Sequence, residues 1–272
     1  MLGIGLGLVA MYVVYGLMLW SFQERMIFPA PGGISRDALD QAAVEVGAEP
    51  LTLTAEDGTS LYGWYRAAEG KRALLYFHGN GESVADSMGL MRTCNRLGWD
   101  FGVVAYRGYP GSEGAPSQAG IRQDSRALWD HVVEGRGISP SQIIVMGRSL
   151  GGAVAMELLQ QVTPAALVLE STFARMEDMA RRSAPLYPVS LLLRHSYDSL
   201  AIAPSVEVPV LHTHSRHDQV IPFEQAEQLG SALPSSTFVE VQGLQHQHLL
   251  VLQDPHAHEA WRDLLKRVAE AP

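Results

Sequence analysis

Residues 142–159, QIIVMGRSLGGAVAMELL, constrain this chain more than any other stretch. Ile143 to Met146 form a continuous apolar run that reads as a buried strand, and Ala153 to Leu159 read as a buried helix. A strand that enters a helix through only G-R-S-L-G must turn sharply. The serine in such a turn sits on strained backbone and projects its hydroxyl above the end of the sheet. Gly147 and Gly151, two positions on either side, let strand and helix approach where a β-carbon would clash. The N–H of Leu150, at the helix start, points where an oxyanion would form, and a helix N-terminus favours negative charge. The plain alternative is a glycine-rich turn with an incidental serine. The strand before it and the helix after it favour Ser149 as a nucleophile.

The flanking sequence repeats this alternation. ALLYF, FGVVAY, ALVLE, PVLHTH and TFVEV are short apolar runs, separated by helical stretches such as VADSMGLMRTCNRLG and PFEQAEQLGSAL. Continuous apolar strands alternating with helices imply an α/β fold, a mostly parallel sheet with helices on both faces. LTLTAEDGTSLYGWYRA alternates about a DG turn and reads as a β-hairpin. HEAWRDLLKRVAE closes the chain as an amphipathic helix, with Trp261, Leu264, Leu265 and Val268 on one side. Residues 172–205 interrupt the rhythm and are longer than most connections, as lids and binding loops are.

A serine hydroxyl needs a base, and the base needs a carboxylate to hold it. In a fold of this kind they follow the serine in the order acid, then histidine, from loops at strand ends. Asp218 in SRHDQVIP lies just past one strand; as a plain alternative it caps the following turn. GLQHQHLL follows the next strand and carries two histidines, His246 and His248. Residues two apart at a helix start face nearly opposite sides, so only one can face Ser149. A second oxyanion donor belongs in the loop after an earlier strand, and the N–H of Asn80 in FHGNGES fits; His78 there shapes the loop.

The amino terminus reads differently. From Leu2 to Phe22 no residue is charged, and GLGLVAMYVVYGLMLW is long enough to cross a bilayer core as a helix. A cleaved signal peptide is the alternative. The absence of a basic flank, the length of the apolar run and the lack of an A-x-A site favour an uncleaved anchor. Tyr12, Tyr15 and Trp20 suit a membrane interface. Arg25 and Arg36 follow the span and favour a cytoplasmic catalytic domain, but two arginines among acidic neighbours leave the side open.

The net charge of −9, with no run of lysine and arginine, argues against a nucleic-acid partner, which requires a basic face. Cys94 is the only cysteine, so no intrachain disulfide forms; it reads as a small buried apolar residue. HTHSRHD invites a metal reading, yet His212 and His214 fall on a buried strand and His217 beside Asp218. Neither a metal nor another cofactor is expected.

In order, FHGNGES, AYRGYPGSEGAPSQAG, GRSLGGAVA, SRHDQVIP and GLQH resemble the landmarks of the α/β-hydrolase superfamily. With QERMIFPAP after the apolar span, the chain resembles its membrane-anchored α/β-hydrolase-domain serine hydrolases across residues 20–270. The resemblance implies an eight-stranded sheet, a serine esterase mechanism without metal, and Ser149, Asp218 and His246 as nucleophile, acid and base. It departs from the pattern at Ala105, where relatives often carry aspartate, at Ser215, where glycine is common, and at His248, where an acidic residue is common. The implied division is an anchor over 1–22, a connector over 23–50 and a catalytic domain over 51–272, with a cap-like insertion at 172–205.

The function expected is hydrolysis of a carboxylic ester or thioester, with a small-molecule or lipid-like acyl substrate or a lipidated protein. Leu186, Tyr187, Leu191, Leu192 and Leu193, with Met176 and Met179, either cover an acyl chain or simply pack on the core. GRSLGG also resembles the prolyl-oligopeptidase group, which leaves a serine peptidase or amidase as one alternative. A non-catalytic membrane-bound module on the same scaffold is the other.

Overall fold

A computed structural model describes residues 2–68, 70–246 and 249–270. Eight strands form one sheet in the order β1-β2-β4-β3-β5-β6-β7-β8. They are β1 (Glu49–Thr54), β2 (Ser60–Arg66), β3 (Ala73–Phe77), β4 (Asp100–Val104), β5 (Ile143–Arg148), β6 (Ala166–Glu170), β7 (Val210–Ser215) and β8 (Ser236–Val241). β1 and β2 pair antiparallel about the Asp57-Gly58 turn, and β2 pairs antiparallel with β4. Every pairing from β4 through β3 to β8 is parallel.

The burial explains the apolar runs. Every residue of β3, β4, β5, β6 and β7 is buried, as strands covered on both faces must be. The helices are α1 (Leu2–Ile27), α2 (Arg36–Glu45), α3 (Met88–Arg96), α4 (Gln118–Asp130), α5 (Leu150–Leu158), α6 (Met176–Ser183), α7 (Val189–Leu192), α8 (Ser199–Ile202), α9 (Phe223–Ala232), α10 (Leu250–Gln253) and α11 (Pro255–Glu270). α5 is buried along its whole length, which is why it carries small and apolar residues on every side. α11 buries Trp261, Leu264, Leu265 and Val268, the stripe its spacing predicts.

Two boundaries, the end of α1 and the start of β1, differ from the sequence reading. α1 runs to Ile27, five residues past the expected end of the apolar span, because Gln23, Ile27 and Phe28 are buried against the rest of the protein. The connector contains α2, capped by the Ser35 hydroxyl, which accepts from the Ala38 N–H at 3.2 Å. β1 begins at Glu49, inside that segment. The 172–205 insertion is broken into α6, α7 and α8 between β6 and β7.

Parallel strands β3, β5, β6 and β7 all end on one rim of the sheet. Loops at that rim carry the residues that the sequence marks, and α1 descends onto it.

Candidate active site

Ser149 joins β5 to α5 with φ 52° and ψ −120°, a left-handed conformation that a β-carbon normally avoids. Holding it there costs on the order of 1–3 kcal/mol. The neighbours enforce the turn. A β-carbon on Gly147 would lie 2.1 Å from the Gly151 carbonyl oxygen, and one on Gly151 would lie 1.9 Å from that of Phe77. Strand and helix therefore touch backbone to backbone, as the two glycines imply. The Ser149 N–H donates to the Glu170 carbonyl at 2.9 Å, and the Thr172 hydroxyl donates to the Ser149 carbonyl at 2.8 Å.

The structure brings Asp218, His246 and Ser149 into one line. His246 Nδ1 lies 2.7 Å from Asp218 Oδ2, and its Nε2 lies 3.1 Å from Ser149 Oγ. A carboxylate only accepts, so Nδ1 carries the proton and Nε2 offers its lone pair to the serine hydroxyl. Asp218 follows β7, and its side chain is buried. Burial, the largest influence, pushes its carboxyl up. The His246 hydrogen bond and those from the Val220 and Ile221 N–H groups, both at 2.8 Å, outweigh it and hold the group below the usual carboxylate range. His248 lies outside the described residues.

The 79–82 loop after β3 presses on Ser149. A β-carbon on Gly79 would come within 3.3 Å of Ser149 Cβ. The Asn80 side chain is fixed at both ends: its amide donates to the Ile27 carbonyl at 2.7 Å, and its carbonyl accepts from the Tyr109 hydroxyl at 3.3 Å. The backbone N–H groups of Asn80 and Leu150 donate to no described residue. His78 is buried, packs its ring at a tilt against Tyr106 with centroids 4.1 Å apart, and donates from Nδ1 to the Gly79 carbonyl. Burial lowers its pKa to about 4, so it stands neutral in the loop it supports.

Sequence reasoning missed the ties between these loops. Arg148, one of the two variable positions of the pentapeptide, pairs with Glu82 and donates to the His246 carbonyl at 2.8 Å. Glu82 in turn accepts from the Gly79 N–H at 3.0 Å. One guanidinium thus links the loop of Asn80 to the loop of His246. The Ser215 hydroxyl donates to the Leu244 carbonyl and accepts from the His217 N–H, a tie that glycine at this position lacks. Glu170 is fully buried at the end of β6, and its Oε1 accepts from the Val251 N–H at 2.8 Å.

The three histidines of HTHSRHD make structural contacts. His212 packs edge-on against Phe238, and burial lowers its pKa to about 3. His214 Nε2 donates to the Ile221 carbonyl at 3.0 Å. His217 Nδ1 accepts from the Gly243 N–H at 3.1 Å. No group of three or more His, Cys, Asp or Glu side chains is arranged to hold a metal ion among the described residues.

A cavity of about 310 Å³ opens above Ser149. Ser149, Leu150 and Asn80 stand at its floor. One wall is the insertion, with Met176, Met179, Tyr187 and Leu192; the other is α1, with Tyr15, Leu19, Trp20, Met26 and Ile27. The apolar amino-terminal helix therefore borders the site. Its seam is Gly16, Gln23 and Ile27, all buried, with half-buried Leu19 between them. Gln23 donates to the Leu192 carbonyl at 3.1 Å and accepts from the Arg194 N–H at 2.8 Å. A glycine and a glutamine seven positions apart in an apolar helix were the available signal. By length and composition α1 is fit to cross a membrane, as an anchor or as a signal sequence.

Comparison with known proteins agrees with this architecture. The family described as serine aminopeptidase, S33, matches residues 68–194. Protein Rv2307c of Mycobacterium tuberculosis is 31% identical over 235 residues, covering 85% of this chain and 82% of that protein. The α/β-hydrolase domain-containing protein WAV2 of Arabidopsis thaliana is 30% identical, covering 84% of this chain and 82% of its own. Among solved structures, the Pyrococcus furiosus esterase Pf2001 superimposes with a TM-score of 0.71 at 17% identity, covering 88% of this chain and 97% of that one. The chain belongs to the α/β-hydrolase superfamily.

Proposed function

We propose that this chain is a membrane-anchored serine hydrolase that cleaves carboxylic ester or thioester bonds through an acyl-enzyme on Ser149. The observation that carries the reading is the alignment of Asp218, His246 and Ser149 at 2.7 and 3.1 Å beneath an apolar cavity. His246 Nε2 takes the hydroxyl proton as Ser149 Oγ bonds to the substrate's carbonyl carbon. Asp218 holds the ring in the required tautomer and stabilises the imidazolium. The oxyanion accepts from the N–H groups of Asn80 and Leu150, each worth about 3 kcal/mol in such sites. His246 then returns the proton to the departing alcohol or thiol as the tetrahedral intermediate collapses. Water, deprotonated by the same nitrogen, attacks the acyl-enzyme and frees the acid and the serine.

The aminopeptidase description of the matching family, and the GRSLGG motif, raise amide cleavage as a second reading. An aminopeptidase needs a carboxylate to receive its substrate's α-amino group. Among the described residues, none with a charged side chain lines the cavity. That favours an uncharged acyl group, and the esterase likeness supports it. The anchor reading rests on the uncharged run from Leu2 to Phe22 and on the length of α1.

The test is a chain-length series of p-nitrophenyl esters and acyl thioesters on detergent-solubilised protein, beside a panel of dipeptide amides. Esters or thioesters of medium or long chains are expected to be the preferred substrates. A strong preference for amides would displace the esterase reading.

A further inference from the structure

The insertion does not merely touch α1; it runs far along it. Tyr12 donates from its hydroxyl to the Leu186 carbonyl at 2.8 Å, and Tyr187 donates to the Tyr12 carbonyl at 2.9 Å. The two rings stack with centroids 4.5 Å apart. Further along, Gln23 bonds Leu192 and Arg194, and Glu24 pairs with Arg194 at 2.7 Å. Among the described residues the first hydrogen bond from α1 to the insertion is made by Tyr12, and the helix before it, residues 2–11, is about 15 Å long. A bilayer's hydrocarbon core is about 30 Å thick, so this portion is half what a crossing needs. To span, α1 must be immersed to about Phe22, and the part of the insertion bonded to Tyr12 then shares its depth.

The insertion is built for that depth. From Ala184 to Leu193 it reads APLYPVSLLL, without a charge, and it is bracketed by Arg181 and Arg182 on one side and Arg194 on the other. Basic residues at the ends of an apolar segment mark the headgroup level. Arg194 also lies over the Trp20 ring at 4.6 Å, a tryptophan and an arginine at one height. Leu186 and Leu191 are 80% and 83% exposed on the outer surface of this loop. Irregular backbone at membrane depth must have its polar groups satisfied by protein. Here α1 supplies them, with Tyr12 on the Leu186 carbonyl and Gln23 on that of Leu192. The cavity follows the same line: α1 borders it from Ile27 to Tyr15, about 18 Å of helix leading from Ser149 towards that depth.

We infer that the tip of the insertion, around Leu186 and Leu191, is sunk with α1 into one leaflet, so that an amphiphilic acyl substrate reaches Ser149 sideways from the lipid. This rests on the reading of α1 as an anchor and of Ser149 as a nucleophile. α1 is then one wall of a lipid-facing portal as well as a tether.

The full chain allows a direct test, because its lone cysteine, Cys94, is buried and leaves a single introduced thiol to label. Leu191→Cys, and Val44→Cys on exposed α2, are labelled with an environment-sensitive fluorophore and reconstituted into phosphatidylcholine vesicles. The label at 191 should be quenched by lipids brominated on their acyl chains and should resist aqueous iodide; the label at 44 should behave oppositely. A protein that floats with the vesicles while its 191 label is open to iodide, or is shielded from both quenchers, overturns the inference and leaves the anchor intact. Failure to float removes the anchor reading itself. In parallel, Leu186→Glu with Leu191→Glu should keep fluorophosphonate labelling of Ser149 and hydrolysis of a soluble short-chain ester within about 2-fold, while hydrolysis of a long-chain ester held in vesicles falls by about 10-fold or more. Unchanged vesicle hydrolysis contradicts the portal, and loss of fluorophosphonate labelling in the unmodified chain contradicts the serine mechanism instead.

Discussion

Arg148 reaches past the serine it precedes and donates from Nη2 to the backbone carbonyl of His246 at 2.8 Å. Its other terminal nitrogen pairs with Glu82, so the loop that offers the Asn80 N–H and the loop that offers the imidazole share one support. Small displacements of reacting groups cost rate steeply, so in the proposed mechanism this support positions the reacting groups.

Replacing Arg148 by Met should lower kcat by about 10- to 100-fold with little change in KM, since positioning rather than binding is lost. It also leaves Glu82, only 13% exposed, without its partner, at a cost of about 3–5 kcal/mol in stability. Adding Glu82→Gln should recover most of the stability and little of the kcat. Thermal unfolding and ester kinetics on both variants separate the two effects, and an Arg148→Met enzyme with full kcat contradicts the positioning role.

Asp218→Asn should reduce kcat by about 10⁴-fold while leaving KM nearly unchanged, because an amide lets the ring adopt the wrong tautomer. His214 does not rescue it. Its Nε2 stands 3.7 Å from Asp218, donates to the Ile221 carbonyl, and burial keeps the ring neutral. Single-turnover kinetics with an activated ester check this, and a loss below about 10-fold would show that the carboxylate does not orient the base.

Glu170 makes stability depend on pH. Burial, the largest influence, pushes its carboxyl up to about 7 from an ordinary 4.5, against the Val251 N–H bond and the Arg148 charge. The unfolded chain releases this proton at lower pH than the folded one. Stability therefore falls as pH rises from 4.5 to 7 and is level above, by up to about 3 kcal/mol. Glu170→Gln removes that dependence. Its Tm should exceed that of the unmodified protein at pH 8, with the difference shrinking towards pH 4.5. A difference independent of pH contradicts the buried acid.

The sheet was legible because its strands are unbroken apolar runs, and buried parallel strands tolerate little else. Ser149 was legible because strand, glycines and helix stand in one contiguous stretch. Asp218 was placed by its order after a strand end, His246 was chosen over His248 through the family resemblance, and the structure brings both to Ser149. What stayed hidden depends on partners far apart in the chain. Arg148 meets Glu82 across 66 positions, and Tyr12 meets Leu186 across 174. Hydropathy marked α1 as a span because it reads composition along one segment. It carries no record of the neighbour against which Gly16 and Gln23 lie, where a β-carbon on Gly16 would come 2.9 Å from the Tyr187 ring.

The most direct measurement is a pre-steady-state burst with a p-nitrophenyl ester on the full chain and on Ser149→Ala. The unmodified chain should release a burst of nitrophenol approaching one equivalent per chain, followed by slower turnover, and the variant should show neither burst nor turnover above background. Equal turnover by Ser149→Ala would contradict the acyl-enzyme mechanism.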